Sequence, residues 1–317
     1  MNTGYTWREL LATPAGRPVA ARLLDHLTRE WRHGSAAEWI DRIGRGEVTL
    51  DGRPTFAEAP LFAGQELVWR RPPWEEPEVP LGFALLHRDD DLLAVAKPAG
   101  LPTMPSGGRF LEHTLLHQVR RRWPDATPLH RLDRGTSGVV LFARSAVARR
   151  AGALAWQRGE VGRRYLGLVE GHVRADRLTI RVPIGERPHP TLGRVFVAAD
   201  DGRPSTTHVR VRERREGGAG GCTLVEIAIE SGRPHQIRIH LACAGHPLVG
   251  EPFFARDGMW NEDRAARPGD AGYRLHAWRL ELTHPVTNRA MEIECPPPSD
   301  LRARPPLAPE RFRETAA

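Results

Sequence analysis

The stretch His130-Arg131-Leu132-Asp133-Arg134-Gly135-Thr136-Ser137-Gly138 runs straight into Val139-Val140-Leu141-Phe142-Ala143. A polar, Gly-rich turn meets an apolar run of strand length, so Ser137–Ala143 reads as a buried strand with a turn at its start. One carboxylate, Asp133, sits in that turn. A turn anchored on a rigid strand holds its side chain in a fixed place, which suits a nucleophile. From spacing alone an ordinary Asp-x-Gly turn, where Asp serves the backbone, is the commoner reading. Downstream, Ser145 offers an N-cap for a helix over Ala146–Gln157.

Working outward, Arg163–Glu170 and Leu275–Leu282 read as further strands. Val225, Ile227 and Ile229 alternate with Glu226, Ala228 and Glu230, the period of a half-buried strand. Short helices among many strands, without regular βα alternation, predict an α+β fold. The 317 residues suggest two domains at about 150 residues each. With 40% hydrophobic and 27% charged residues the composition is globular, which excludes wholesale disorder. Apolar runs such as Leu92–Ala96 fall far below the roughly 18 residues of a spanning helix. Met1–Leu10 has no signal-like pattern, so a cytoplasmic chain with no membrane partner is expected. The three cysteines, Cys222, Cys243 and Cys295, fit neither a paired disulfide framework nor a Cys-x-x-Cys zinc site.

The net charge of +7 and pI near 10.2 favour a polyanionic partner, nucleic acid first. All but one of the 46 basic residues are Arg, and the single Lys is Lys97. Arg71-Pro72-Pro73-Trp74-Glu75-Glu76-Pro77-Glu78-Val79-Pro80 cannot propagate a helix or sit in a central strand. It reads as a linker over 73–80 between a small domain over 1–72 and a larger one over 81–295. A Pro-rich tail over 296–317 follows. In the small domain Ala20–Trp31 predicts one helix. A capping box at Ser35 and Glu38 starts a second, ended by Gly46. Val48–Leu50, an Asp51-Gly52 turn and a strand near Glu66–Trp69 follow. Two basic helices and a hairpin resemble the RNA-binding domain typified by the fourth small-subunit ribosomal protein. On that resemblance Arg29, Arg32, Arg42 and Arg45 would face phosphates; a solvated helix pair is the alternative.

Three further stretches carry candidate chemistry. Ser231-Gly232-Arg233-Pro234-His235-Gln236-Ile237-Arg238-Ile239-His240-Leu241 predicts a helix opening at Pro234 and closing at Gly245. His235 and His240 lie about 140° apart on such a helix, so a shared metal is not expected. Arg238, flanked by apolar residues, calls for an anionic partner. Ala94-Val95-Ala96-Lys97-Pro98-Ala99-Gly100-Leu101-Pro102 runs a strand into a constrained loop that would put Lys97 at a cleft edge. In Arg163-Arg164-Tyr165-Leu166-Gly167, Tyr165 is either a stacking ring or core packing.

Together these stretches resemble the RluA-type family of RNA pseudouridine synthases over roughly residues 81–295. The motif H-R-L-D-x-x-T-S-G is unchanged, and G-R-x-H-Q-I-R-I-H, G-H-P-L-V-G and K-P-x-G-L-P support it. Departures are Pro234 in place of Thr, Glu251 in place of Asp, and Arg163 and Arg203 where Lys is frequent. The resemblance implies a mixed, mainly antiparallel central sheet with a catalytic cleft, preceded by the small α+β RNA-binding domain. It implies Asp133 as nucleophile, Arg238 as its ion-pair partner, Tyr165 stacking on the base, and Arg131 filling the gap left by a flipped uridine. His130, Thr136, Leu241, Lys97, Arg233 and His235 would contact substrate, with Leu241 under the base. Isomerisation consumes neither electrons nor water, so neither cofactor nor metal is expected. The implied partner is RNA, ribosomal before transfer RNA, bound by a monomer.

Overall fold

The computed structural model describes residues 1–12, 22–31, 34–105, 108–217, 220–262 and 265–303. Its chain divides into two compact units, Met1–Glu78 with Met104–His117, and Val79–Thr103 with Gln118–Ala317.

In the first unit, β1 (Tyr5–Leu10), β2 (Val48–Leu50), β3 (Arg53–Pro54) and β4 (Glu66–Arg71) form an antiparallel sheet in the order β1-β4-β2-β3. Helices α1 (Leu23–Glu30) and α2 (Ala36–Gly44) share a core with it through Leu23, Leu27, Trp39, Ile43 and Trp69. The capping box is present: Ser35 accepts from the Glu38 amide, and Glu38 accepts from the Ser35 amide. Gly46 ends α2 with φ +74°, and Asp51-Gly52, both at positive φ, turn β2 into β3. The first helix is shorter than predicted, and Ala20 lies outside the described residues. Sequence reasoning missed β1, because its pairing partner β4 lies more than fifty residues away.

The Pro-rich segment does not behave as a spacer. Glu76 is buried and accepts hydrogen bonds from the Leu111, Glu112 and His113 amides and the Asn2 side chain, at 2.7–3.0 Å. Residues 104–117 therefore join the first unit, and the expected boundary at 72–81 gives way to one that crosses the chain more than once. The expected tail is also shorter. Ser299–Leu301 forms a 3-10 turn with Leu301 buried, and the Arg215 guanidinium donates to the Asp300 and Arg302 carbonyls at 2.6 Å. The rest, from 304, lies outside the described residues.

The second unit is built on one sheet. In chain order come β5 (Ala84–Arg88), β6 (Leu92–Lys97), α3 (Leu115–Arg120, whose first turn counts with the first unit), β7 (Thr127–Pro128), β8 (Ser137–Ala143), α4 (Ala146–Arg158), β9 (Gly162–Glu170), β10 (Arg177–Arg181), β11 (Ile184–His189), β12 (Gly193–Ala198), β13 (Thr206–Arg215), β14 (Cys222–Ile229), α5 (Gln236–Cys243), β15 (Leu275–Thr283) and β16 (Ala290–Glu294). The sheet order is β10-β13-β14-β9-β15-β8-β6-β5, with β16 on β15 and β7 on β8, while β11 and β12 pair separately. Only β8 and β15 run parallel among the described pairs, so the sheet is mixed and mainly antiparallel, as expected of an α+β fold. Among the described residues no helix is long and apolar enough to cross a membrane.

Candidate active site

The turn carrying Asp133 leads into β8 and is closed by the Thr136 amide donating to the Asp133 carbonyl at 3.1 Å. Its glycines have steric reasons. A Cβ on Gly135 would come within 2.7 Å of the Tyr273 ring, and one on Gly138, at φ +120°, would overlap the Ala277 carbonyl on parallel β15. The loop after β6 clamps the turn from behind. Thr103 Oγ1 donates to the Leu132 carbonyl (2.7 Å) and accepts from the Leu132 amide (3.1 Å), while the Gly100 amide donates to the Arg134 carbonyl (2.7 Å).

Lys97 belongs to that clamp. Its ammonium donates to the carbonyls of Leu101 (2.7 Å), Pro98 (3.0 Å) and Arg134 (3.2 Å), and the residue is 1% exposed. Burial lowers its pKa to about 7 against the pull of Asp133. The expectation that Lys97 contacts substrate is therefore corrected: it ties backbone together behind the turn. Three acceptors around one point match a tetrahedral ammonium and not a planar guanidinium. This accounts for one Lys surviving in a chain that otherwise uses Arg.

Asp133 opens onto a cleft of about 630 Å³, lined among others by Arg131, Tyr165, Arg163, Arg233 and His235. Its side chain is 32% exposed. Oδ2 accepts a 2.7 Å hydrogen bond from His235 Nδ1, whereas no hydrogen bond to Oδ1 is found among the described residues. Burial pushes the carboxyl up, but His235, then Arg238 and Arg131, outweigh it and hold the pKa at about 2. The group is a carboxylate at neutral pH.

Arg238 lies at ion-pair distance from Asp133, as expected, but makes no hydrogen bond to it. Its Nη1 is 3.9 Å from Asp133 Oδ2, too long for a hydrogen bond. Instead Nε and Nη2 donate to the two oxygens of Glu251 at 2.8 and 2.6 Å, and Nη1 donates to the Pro268 carbonyl at 2.5 Å. Glu251 also accepts from the Phe253 and Phe254 amides. Arg238 is thus hydrogen-bonded to Glu251 and pairs with Asp133 through charge alone. The longer Glu, where the family pattern has Asp, still reaches the guanidinium bidentately.

Helix α5 begins later than predicted. His235, at φ +57°, is the N-cap, and Pro234 precedes it instead of opening the helix. Gly245, at φ +81°, closes α5 as expected. Leu241 does not reach the cleft: it is 1% exposed in a core with Val169, Val225 and Leu248, so its expected place under the base is corrected. Tyr165 does line the cleft, and burial raises its pKa. His130 stacks on Trp156 at 4.5 Å, and its Nε2 accepts from the Leu141 amide at 3.0 Å. Burial, with Arg163 nearby, lowers its pKa to about 3, so it is neutral and braces β8. Arg131 is exposed at the cleft, and Thr136 is buried with its hydroxyl 3.1 Å from that of Tyr273. Sequence reasoning missed Tyr273, whose ring lies 4.2 Å from the Arg238 guanidinium; no local pattern marks it.

The expected basic face of the first unit is largely self-neutralised. Arg29 bonds Glu30 at 2.7 Å, and Arg45 bonds Asp41 and Glu47 at 3.1 and 3.0 Å. Arg42 packs against both Trp39 and Trp69, whose rings touch each other, and Arg32 lies outside the described residues. Asp89, Asp91 and His284 form the one group with metal-ligand spacing among the described residues. Its atoms are engaged: Asp89 holds His87, His284 and two backbone amides, and Asp91 accepts from Ser145.

Residues 91–243 match the family described as RNA pseudouridylate synthase. An uncharacterized RNA pseudouridine synthase of Synechocystis is 38% identical over 281 residues, covering 88% of this chain and 95% of that one. The chain belongs to the RluA-type family of RNA pseudouridine synthases. The synthase is also similar to RNA pseudouridine synthase 5 of Arabidopsis thaliana, 36% identical over 84% of this chain and 85% of the plant protein. Ribosomal large subunit pseudouridine synthase D of Nitrosomonas europaea is 31% identical over 88% and 81% of the two chains. Among solved structures, human RNA pseudouridylate synthase domain containing 1 superposes with a TM-score of 0.57 at 26% identity, over 72% of the synthase and 89% of the human chain. The enzyme is an isomerase with an RNA substrate.

Proposed function

We propose that the synthase converts particular uridines of large-subunit ribosomal RNA to pseudouridine, with Asp133 as the nucleophile. The observation that carries this reading is the Asp133 carboxylate, held ionised with a pKa of about 2, with one oxygen hydrogen-bonded and the other unpartnered among the described residues in an open cleft; Glu230, which lines the same cleft, is bonded to His208. A nucleophilic carboxylate must be ionised although partly desolvated, and the cations around Asp133 secure that. The base turns out of its stack to reach it, and the exposed Arg131 fills the space it leaves. The Tyr165 ring gives the detached uracil a flat face to lie against. As Asp133 attacks, the N1–C1′ bond breaks; the base then rejoins ribose through a C5–C1′ bond as the carboxylate is released, C5 losing a proton and N1 gaining one, with no net change in atoms or electrons. Arg238 contributes its positive field from the Glu251 pair. Ribosomal RNA is favoured over transfer RNA because relatives bearing the large-subunit name cover most of the chain. Site-resolved pseudouridine mapping tests the reading, comparing a strain lacking the gene with its parent. Loss of one or a few large-subunit sites is expected, restored by the wild-type gene; loss confined to transfer RNA would overturn the choice of substrate.

A further inference from the structure

Asp133 receives its one short hydrogen bond among the described residues from a histidine in a backbone conformation that side chains seldom adopt. His235 sits at φ +57°, ψ 16°, one of three non-glycine positive-φ residues among those described. That conformation disfavours any residue with a Cβ, and it persists where surrounding structure enforces it. Here Gln236 enforces it. Its Oε1 accepts from the Ser231 hydroxyl (2.8 Å) and the Arg233 amide (3.1 Å), and its Nε2 donates to the Thr206 carbonyl (2.9 Å) and Thr207 hydroxyl (3.1 Å). The loop before α5 is thereby pinned to β13. The His235 ring lies beside Phe254, with centroids 5.9 Å apart, and its side chain makes no helix-capping bond. The strained position therefore serves no cap. What it does is aim Nδ1 at Asp133 Oδ2, 2.7 Å away and 102 residues distant in sequence. An ionised carboxylate only accepts, so Nδ1 carries the hydrogen and the tautomer is fixed.

We propose that His235 is the positioning residue of the reaction: by holding Oδ2 it fixes the carboxylate plane and leaves Oδ1 as the reacting oxygen. Arg238 does not take this part: its bonds to Glu251 and the Pro268 carbonyl hold it 3.9 Å from Oδ2, beyond hydrogen-bond reach. The inference rests on Asp133 being the nucleophile.

The test separates backbone from donor. His235→Gly suits the left-handed backbone but removes the donor, whereas His235→Asn tolerates it and puts an amide N–H close to where Nδ1–H lay. Both are assayed as full-length protein on RNA from a strain lacking the gene, with melting followed in parallel. Misplacing a reacting group costs on the order of 100-fold in rate. The glycine variant is expected to lose about that much in kcat while KM stays within a few-fold and melting is unchanged. The asparagine variant should recover at least about tenfold of the loss. Wild-type kcat in the glycine variant, or an asparagine variant no faster than it, would overturn the positioning role. Should the glycine variant fail to fold, the kcat and KM of the asparagine variant against His235→Leu decide the same point. Asp133→Asn run alongside keeps the two readings apart: activity there removes the nucleophile assignment, while an inactive Asp133→Asn beside a fully active His235→Gly removes only the histidine.

Discussion

In the first unit the Arg42 guanidinium carbon lies 4.6 Å from the Trp39 ring and 4.9 Å from the Trp69 ring; in the second, that of Arg238 lies 4.2 Å from Tyr273 and 4.9 Å from Phe254. The two slots look alike, yet the cations differ. Burial lowers the Arg42 pKa, with Glu38 and Glu47 opposing it only in part. Burial acts in the same direction on Arg238, but the hydrogen bonds and charge of Glu251, with Tyr273 and Asp133, reverse it and raise the pKa. An aromatic slot shields a guanidinium without deciding its use. The carboxylates within reach decide. Arg42 covers two tryptophans that already touch each other; Arg238 is a fixed positive charge beside a carboxylate.

The two slots differ most at the carboxylate that only the second one faces. Asp133→Asn keeps size and removes the nucleophile, so single-turnover assays should show no pseudouridine while RNA affinity stays within a few-fold. Turnover by the purified variant would falsify the assignment.

Arg238→Met comes next. It leaves Glu251, whose side chain is 2% exposed, charged without its guanidinium. Breaking such a pair costs about 3–5 kcal/mol, read as a fall in the denaturation midpoint. Asp133 also loses a cation that favours its charged form. Its pKa rises from about 2, and the acid limb of the rate profile moves to higher pH, so activity falls first at low pH. A profile parallel to wild type would leave Arg238 a purely structural part.

Lys97 sharpens the contrast, being a buried amine that is cationic only below its pKa of about 7, with neither aromatic slot nor carboxylate bond. Lys97→Arg makes the charge permanent but cannot set three N–H groups on three carbonyls around one point. Leaving one such acceptor unmet costs about 1–3 kcal/mol, measurable by denaturant titration. An arginine variant as stable as the parent would show that charge alone fills the site.

The smallest effect is expected at Arg42→Met. Removing the cation from its slot should destabilise by about 0.5–2 kcal/mol and leave kcat unchanged. A loss of kcat like that of Arg238→Met would erase the distinction between the slots. Deleting residues 1–72 is not an equivalent experiment, because Glu76 and residues 104–117 belong to the same unit.

Much of the molecule is legible in the chain itself. Strand β8, the Ser35 capping box, the Asp51-Gly52 turn and the close of α5 at Gly245 are local matters, written in patterns of a few residues. Asp133, Tyr165 and Arg131 reach the cleft as the motif order implies. What the chain alone leaves open is which charge meets which. Apolar neighbours around Arg238 announce an anionic partner, but Asp133 and Glu251 both qualify, and only the packed loop after α5 sets Glu251 at 2.6 Å and Asp133 at 3.9 Å. Lys97 beside a Pro/Gly loop reads equally as a cleft edge or a buried tie until Leu101 and Arg134 close over it. The physical reason is one of range. Capping and turn signals act over three or four residues, where backbone geometry fixes the distance. A hydrogen bond such as His235 to Asp133 spans 102 residues, and a change of about one ångström in how two loops meet selects a different partner.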